Sequence, residues 1–536
     1  MALRWFGVSI VAPSLSLVLI VHLVLGNRVE PDPQKRIDAA LASGNVVTAM
    51  AEYRTLIEGS FHNLEWHRGY IRAHLEQPKY HGKHKRRDDG PILGQYRRNA
   101  ESADPRVSDI GNYGLGYFYS VEGDYAQAIQ FFGRVRDQSL PYLNNSIGYA
   151  HKMLGRPDRA EEDFRREIAL GGNVDGATSN LARLLDESRR FDELSLLASD
   201  PRARKTMDAD ILRHLDLVHG RYLQYARDAI QIRDATPRGL LGAALVLIVW
   251  FLYLRRIDVF EPERVSHAGL MTVAGMAFSL LAVPLYDLFK FGLGFTLTGH
   301  YLNDLLFCIF GIGLIEETVK LAPVLLALRF TSVMNESVDY LVYGSLSGLG
   351  FAFMENLIYF DDRGLRSIAS RGFSAVLLHM SLTAMVMYGL IHGRRMGRKH
   401  PALDALMAFG AVCVVHGVYD FWLVAAGWVG QLSMLSFLIL IVAIRKYGRA
   451  LNIAMNLSEH MSGQSERRVS QVRWLCGSLA AIVMLQYLLI ALKYGAANAE
   501  FNLLTTVGSS YFLILLILLI LGRFTVTKGK WLPLFD

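Results

Sequence analysis

From residue 239 to its end the chain alternates apolar runs with short loops. Nine runs can be read, at about 239–254, 268–289, 304–327, 338–360, 372–392, 402–424, 429–444, 474–492 and 507–522, and a tenth at 5–25 opens the chain. Most have the ~17–25 residues a helix needs to cross a bilayer. Hydrocarbon offers no partner to an exposed peptide group, so a spanning segment must bond its amides internally and fold as a helix. The pattern predicts an all-α, polytopic membrane bundle of about ten spans, although 239–254 is short enough to lie in the interface. Over 536 residues the chain is 52% hydrophobic and 20% charged, a composition that excludes a disordered chain or a disulfide scaffold. Cys308, Cys413 and Cys476 all sit inside apolar runs and read as small buried hydrophobes.

Residues 27–237 are different. They are polar, helix-patterned and carry 31 Lys/Arg against 31 Asp/Glu, so the net charge of +7 belongs to the apolar remainder. Base beside apolar runs reads as membrane topology, not nucleic-acid affinity. Gly116, Tyr119, Gly123, Ala128 and Phe132 recur as Gly148, His151, Gly155, Ala160 and Phe164. Ala182, Leu185 and Leu194 give a weaker copy, and Gly44, Ala49 and Tyr53 an upstream half-match. A period of about 33 residues with small residues at these steps lets antiparallel helices approach, and the aromatic fills the gap between pairs. This resembles tetratricopeptide repeats, which implies an α-solenoid that binds a peptide or protein ligand; a plain spacer is the alternative. His62, His67, His74, His81 and His84 precede Lys85-Arg86-Arg87, but their spacing matches no tetrahedral metal motif and reads as a solvated basic loop.

Orientation follows from the loops. One alternate set, with the C-terminal tail, carries 17 Lys/Arg and the opposite set five. The richer set is expected in the cytoplasm. Arg4 before the first run, with no clean cleavage pattern after it, predicts an uncleaved signal anchor. Both signals place the N- and C-termini in the cytoplasm and the repeat segment outside it.

Charges inside spans are costly, and one stretch collects them. Between residues 304 and 424 lie Glu316, Glu317, Lys320, Glu355, His379, His416 and Asp420. Such groups persist when they face one another, water or an ion, so a functional site is the first reading. Glu316 and Lys320 share a helical face, as do Phe351 and Glu355, and His416 and Asp420. Glu317 is rotated by ~100° from Glu316, so the adjacent acids are expected to point at different places. Asp420 is placed to fix the tautomer of His416. By residue count Glu316, Glu355, His379, His416 and Asp420 lie between the bilayer centre and the outer face. Gly344-x-x-x-Gly348 lets another helix come close to the one bearing Glu355.

Glu316-Glu317-x-x-Lys320, then Asp339 with Phe351-Ala352-x-x-Glu355-Asn356, then His379, then His416-x-x-x-Asp420, resemble the motifs of the PrsW-type intramembrane proteases, distant relatives of the CAAX prenyl endopeptidases. The resemblance covers roughly 260–450. It implies hydrolysis of a membrane-tethered protein near its span on the outer side, in a bacterial inner membrane; the founding type clips an anti-sigma factor. On this reading 1–26 is the anchor, 27–237 a periplasmic repeat domain, 238–450 the protease domain and 451–536 two further helices and a tail. Glu316 is assigned as base on the attacking water. Glu317, Glu355, His379, His416 and Asp420 complete the catalytic set. Glu355, His379 and His416 are the candidate ligands of a zinc ion, and a metal-free glutamate mechanism stays open, because the chain lacks His-Glu-x-x-His. Lys320, Asn356 and Asp339 read as structural or ion-pairing residues.

Two other classes compete. A non-catalytic receptor or scaffold would use the repeats to bind partners and the polar cluster as glue, yet such glue is normally Ser, Thr or Asn. A proton- or ion-coupled transporter would also bury acids and histidines, but no repeat relates the two halves of the membrane region.

Overall fold

The computed structural model describes residues 7–26, 30–77, 80–81, 85–86, 89–230, 235–361, 364–425, 432–461 and 466–531. Arg4, His84 and Arg87, and Arg363 among the five bases of the sparser loop set, lie outside these. The chain divides into two compact units, Arg28–Asp228, and Met1–Asn27 with Ala229–Asp536.

The first unit is a succession of short helices, each packed on the next. Pro105–Glu122 pairs with Tyr125–Phe132, and Leu143–Met153 with Pro157–Leu170. The repeated glycines are where the pairs touch. A Cβ on Gly116 would come within 2.5 Å of the Phe132 ring, and one on Gly148 within 2.7 Å of the Phe164 ring. Gly123 and Gly155 leave the first helix of each pair with φ of +88° and +70°, a conformation that glycine adopts without steric cost. Ala128, Ala160 and Leu194 are fully buried at equivalent steps. Two of the five histidines are internal, not solvated: His67 bonds to Tyr96 and the Phe61 carbonyl, and His74 to Asp89.

The second unit is a helical bundle. Its long helices, numbered within the unit, are α1 (Ala12–Leu25), α2 (Pro237–Ile257), α3 (Val265–Ser279), α4 (Leu314–Phe330), α5 (Ser337–Tyr359), α6 (Ala375–Arg395), α7 (Ala402–Val424), α8 (Met434–Asn456), α9 (Val472–Tyr494) and α10 (Ala496–Leu521). Among the described residues, seven helices are long and apolar enough to cross a bilayer: Pro237–Ile257, Val265–Gly292, Ser337–Tyr359, Gly364–Arg395, Ala402–Val424, Val472–Tyr494 and Ala496–Leu521. The other three expected spans fall short for physical reasons. The first apolar helix, Ser9–Leu25, is short. The stretch ending in α4 carries Glu316, Glu317 and Lys320 through its middle, and α8 carries Arg445, Lys446 and Arg449. Sheet among the described residues is confined to two antiparallel pairs, Tyr80–His81 with Lys85–Arg86 and Glu466–Ser470 with Arg523–Thr527.

α5 is the central element, packed on α3, α6 and α2. A Cβ on Gly348 would lie 2.5 Å from the His379 carbonyl on α6, and one on Gly350 2.1 Å from the Thr272 carbonyl on α3. Glu336 and Asp339 form a capping box at its start, the side chain of each accepting from the other's end of the first turn.

Next to that cap, just outside the spans, Asp258 is buried after α2. It accepts the Glu263 amide at 2.9 Å, and its Oδ1 has no hydrogen-bond partner among the described residues. Burial pushes its carboxyl up to about 7, and Glu336 and Glu263 push the same way. The folded state therefore keeps a proton that the unfolded chain has released, and stability falls as pH rises from the ordinary carboxylate range through about 7. We expect the melting temperature of detergent-solubilised protein to drop between about pH 5 and about pH 8. Asp258→Asn, which keeps an acceptor for Glu263, should flatten that slope; an unchanged slope would assign it to other groups.

Candidate active site

The site is built where α4, α5, α6 and α7 meet. The helix leading into α4 passes through a π-helical turn, Phe307–Gly313, of the kind that often marks functional sites. There the backbones nearly touch. A Cβ on Gly417 would lie 2.4 Å from the Ile309 Cα, and one on Gly313 2.6 Å from the Cys413 carbonyl. This closeness sets Glu316 and Glu317 against His416.

Lys320, fully buried, is the hub. Its Nζ donates to Glu317 Oε1 at 2.9 Å, to Glu316 Oε2 at 3.2 Å and to His379 Nδ1 at 2.7 Å, and lies 4.3 Å from the centre of the Phe351 ring. The two adjacent acids thus reach one group, contrary to the expectation that they diverge. Positions i+3 and i+4 are both neighbours on a helix, and Lys320 is i+4 to Glu316 and i+3 to Glu317.

Each histidine is held through one ring nitrogen by a carboxylate. His416 Nδ1 donates to Glu317 Oε1 at 2.8 Å, and His379 Nε2 to Glu355 Oε2 at 2.8 Å. In the neutral form of each ring that leaves His416 Nε2 and His379 Nδ1 as the nitrogens bearing lone pairs. They lie 3.6 Å and 3.9 Å from Glu316 Oε2. Glu317, not Asp420, orients His416; Asp420 sits 3.5 Å from Nε2, on the other side of the ring. Glu316 is steadied by Tyr286, whose hydroxyl donates to Oε1 at 2.8 Å, and Thr383 donates to Glu317 Oε2.

The six expected catalytic residues therefore fall in one cluster. Glu355 and Asp420 are partly exposed and the others buried, so these two carboxylates mark its open side. Asn356 accepts from Arg371 Nε at 2.9 Å, bridging α5 to the segment before α6. Asp339 lies 16 residues before Glu355 on α5, at the far end of the helix, where it caps. Sequence reasoning missed Tyr286, Thr383 and Arg371. Arg371, one of the five basic residues of the sparser loop set, pairs with Glu355 at 2.8 Å.

Residues 261–444 match the PrsW family intramembrane metalloprotease model. Over this stretch the chain is similar to that family. The Protease PrsW of Bacillus subtilis (strain 168) is 28% identical over 152 residues, 27% of this chain and 66% of that protein. The Protease PrsW of Clostridioides difficile (strain 630) is 25% identical over 187 residues, 33% of this chain and 76% of that protein. The match thus spans just under two thirds of the Bacillus relative's length. No solved structure matches the chain significantly. These similarities support a protease; the repeat unit, α9 and α10 lie outside the PrsW match.

PrsW proteins are described as metalloproteases, and the donor atoms fit an ion. One ligand atom each from Glu316, His379 and His416 lies within 4.8 Å of the others. Two nitrogens and an oxygen, with the fourth position open, is a catalytic zinc donor set. Glu316 and Glu317 pair with Lys320, and Glu355 with Arg371. Glu355 stands outside this three-residue group and in the position of a carboxylate that orients a ligand. Protein purified without chelator is expected to carry one transition-metal ion by plasma mass spectrometry, absent from His416→Ala. Glu317→Gln and Glu355→Gln should retain it about 10–100-fold more weakly. Wild-type protein free of metal at full activity would remove the metal reading.

Proposed function

We propose that the chain is an intramembrane endopeptidase that hydrolyses a membrane-tethered protein near its span, on the extracytoplasmic side. The observation that carries this is the convergence of Glu316 Oε2 on the two lone-pair nitrogens, His379 Nδ1 and His416 Nε2. A water held among them would give its proton to Glu316, which is placed to pass it on to the leaving amine. Tyr286 holds Glu316 by its other oxygen, so the proton-accepting atom stays directed at the water.

A metal ion held by Glu316, His379 and His416 would instead lower the pKa of that water and polarise the scissile carbonyl, with Glu316 then a ligand and no longer the base. The ring orientations favour this over a metal-free glutamate mechanism. In that alternative one of the inward nitrogens would have to donate to the oxyanion, and both are oriented to accept. We further propose zinc as the ion, about ten spans with the charged helices included, and an inner-membrane protein with both termini in the cytoplasm. The excess of Lys/Arg in one set of loops supports the orientation. The glycine and aromatic contacts at Gly116 and Gly148 support a tetratricopeptide-like unit in the periplasm that captures a peptide or protein, substrate or regulator. By analogy with PrsW the substrate would act in regulated signalling, as an anti-sigma factor does.

New protein N-termini mapped in membranes from cells making wild type or Glu316→Gln at equal levels test the reading. Termini near a membrane span should form with the wild type and fall by about 10²–10⁴-fold in the variant. Equal maps would favour a scaffold whose repeat unit binds partners without cleaving them.

A further inference from the structure

Glu355 holds His379, and Arg371 holds Glu355. Arg371 belongs to a six-residue helix, Ile368–Phe373, between α5 and α6. Its guanidinium pairs with Glu355 Oε2 at 2.8 Å, donates to Asn356 Oδ1 at 2.9 Å and covers the Tyr359 ring at 3.7 Å. One side chain thus grips three residues spaced along one face of the last turns of α5. The same Glu355 oxygen receives His379 Nε2, so the cation and the imidazole share an acceptor.

What holds Arg371 is a short segment with no strength of its own, since six residues barely close a helical turn and a half. It is fixed from outside. Trp250 Nε1 on α2 donates to the Gly372 carbonyl at 2.8 Å. The Ala369 amide donates to Gln486 Oε1 on α9 at 2.8 Å. Gln486 is itself oriented by α10, its Nε2 donating to Asn502 Oδ1 at 2.7 Å and Thr506 Oγ1 at 2.9 Å. Gly242 and Val246 of α2 pack on Ile368 and Gly372. The bonded groups at Trp250, Gln486, Asn502 and Thr506 lie in helices outside the stretch that matches the PrsW family.

We propose that Arg371 is a positioning residue for hydrolysis, acting through Glu355 on the orientation of His379, and that α2, α9 and α10 serve the site by clamping its helix through Trp250 and Gln486. The two helices beyond the protease domain are then part of the catalytic apparatus at one remove. This rests on the protease reading above.

The test uses full-length protein in detergent and a labelled single-span peptide carrying a cleavage site found by the terminus mapping. Arg371→Ala should lower kcat by about 10–100-fold, as loss of an outer partner of a site histidine does, with KM little changed. Arg371→Lys should recover part of the loss, and added guanidinium should restore activity to Arg371→Ala but not to Glu316→Gln. Gln486→Leu should lower kcat a few-fold, and the double variant should be no worse than Arg371→Ala, because both act through one contact. A rise in KM at constant kcat would make Arg371 a substrate-binding group and overturn the proposal. Multiplying effects in the double variant would overturn the clamp. Melting curves separate both from misfolding. If Glu316→Gln cleaves as well as wild type, the protease assignment itself fails; if it is dead while Arg371→Ala matches wild type, this inference alone fails.

Discussion

Two carboxylates buried inside an apolar bundle, Glu316 and Glu317, depend on the Lys320 ammonium, as Glu355 depends on Arg371. Unpaired, each would cost several kcal/mol to bury. Lys320 touches Glu316, Glu317 and His379 at once, and through those three it sets the position of nearly every other group in the cluster. Glu317 passes its orientation to His416, and His379 reaches Glu355. The Phe351 ring on one side of the ammonium keeps that cation in place without offering it a further anion. Lys320 also shares two atoms with the candidate ion, Glu316 Oε2 and His379 Nδ1, so ammonium and metal compete for them. The residue that makes the acids affordable to the fold thereby also sets how tightly a metal is held.

That network requires backbones closer than side chains normally permit. Gly348 against α6, Gly350 against α3, and Gly313 and Gly417 across the π turn each leave no room for a Cβ. The bilayer gives little hydrophobic driving force between spans, so close van der Waals contact and polar pairing must hold them. Here the two are the same design. The glycines bring the helices together at the level where Glu316, His379 and His416 must meet, and the polar groups then lock the approach. The π turn ends just before Glu316, where Gly313 and Gly417 let this helix and α7 nearly touch.

Much of this was legible in the sequence because charges in apolar runs stand out against their background. Glu316, Glu317, Lys320, Glu355, His379, His416 and Asp420 could be named from that contrast, and the helical class from the runs themselves. The Gly344 and Gly348 spacing foretold the close neighbour that α6 provides. Pairing was harder to read. Lys320 lies within reach of both acids on its own helix, but which acid orients His416 depends on how α7 is rotated, and no local pattern encodes that. Arg371 was hidden for a related reason. In a loop an arginine reads as topology, and only the fold of 368–373 back onto α5 turns it into a partner of Glu355. Tyr286 was masked by its apolar surroundings, where an aromatic is ordinary. Seven of the ten runs are long and apolar enough among the described residues to cross a bilayer; α4 and α8 fall short of that measure because of the charges they carry, and the first run because it is short.

The open side of the cluster bears on how a substrate would reach it. Glu316, Glu317, Lys320 and His416 are buried, whereas Glu355 and Asp420 keep side-chain exposures of 23% and 21%. On the protease reading, a peptide bond would approach past two carboxylates, one of them pinned by Arg371. A segment entering there cannot remain helical at the scissile bond, since a helix engages the carbonyl that hydrolysis must free. Its exposed amides would need acceptors, and Glu355 and Asp420 are carboxylates at the mouth able to supply them. The features that raise the cost of building this site, acids on its partly open face, are thus the ones that would let an unwound backbone lie against it within a membrane.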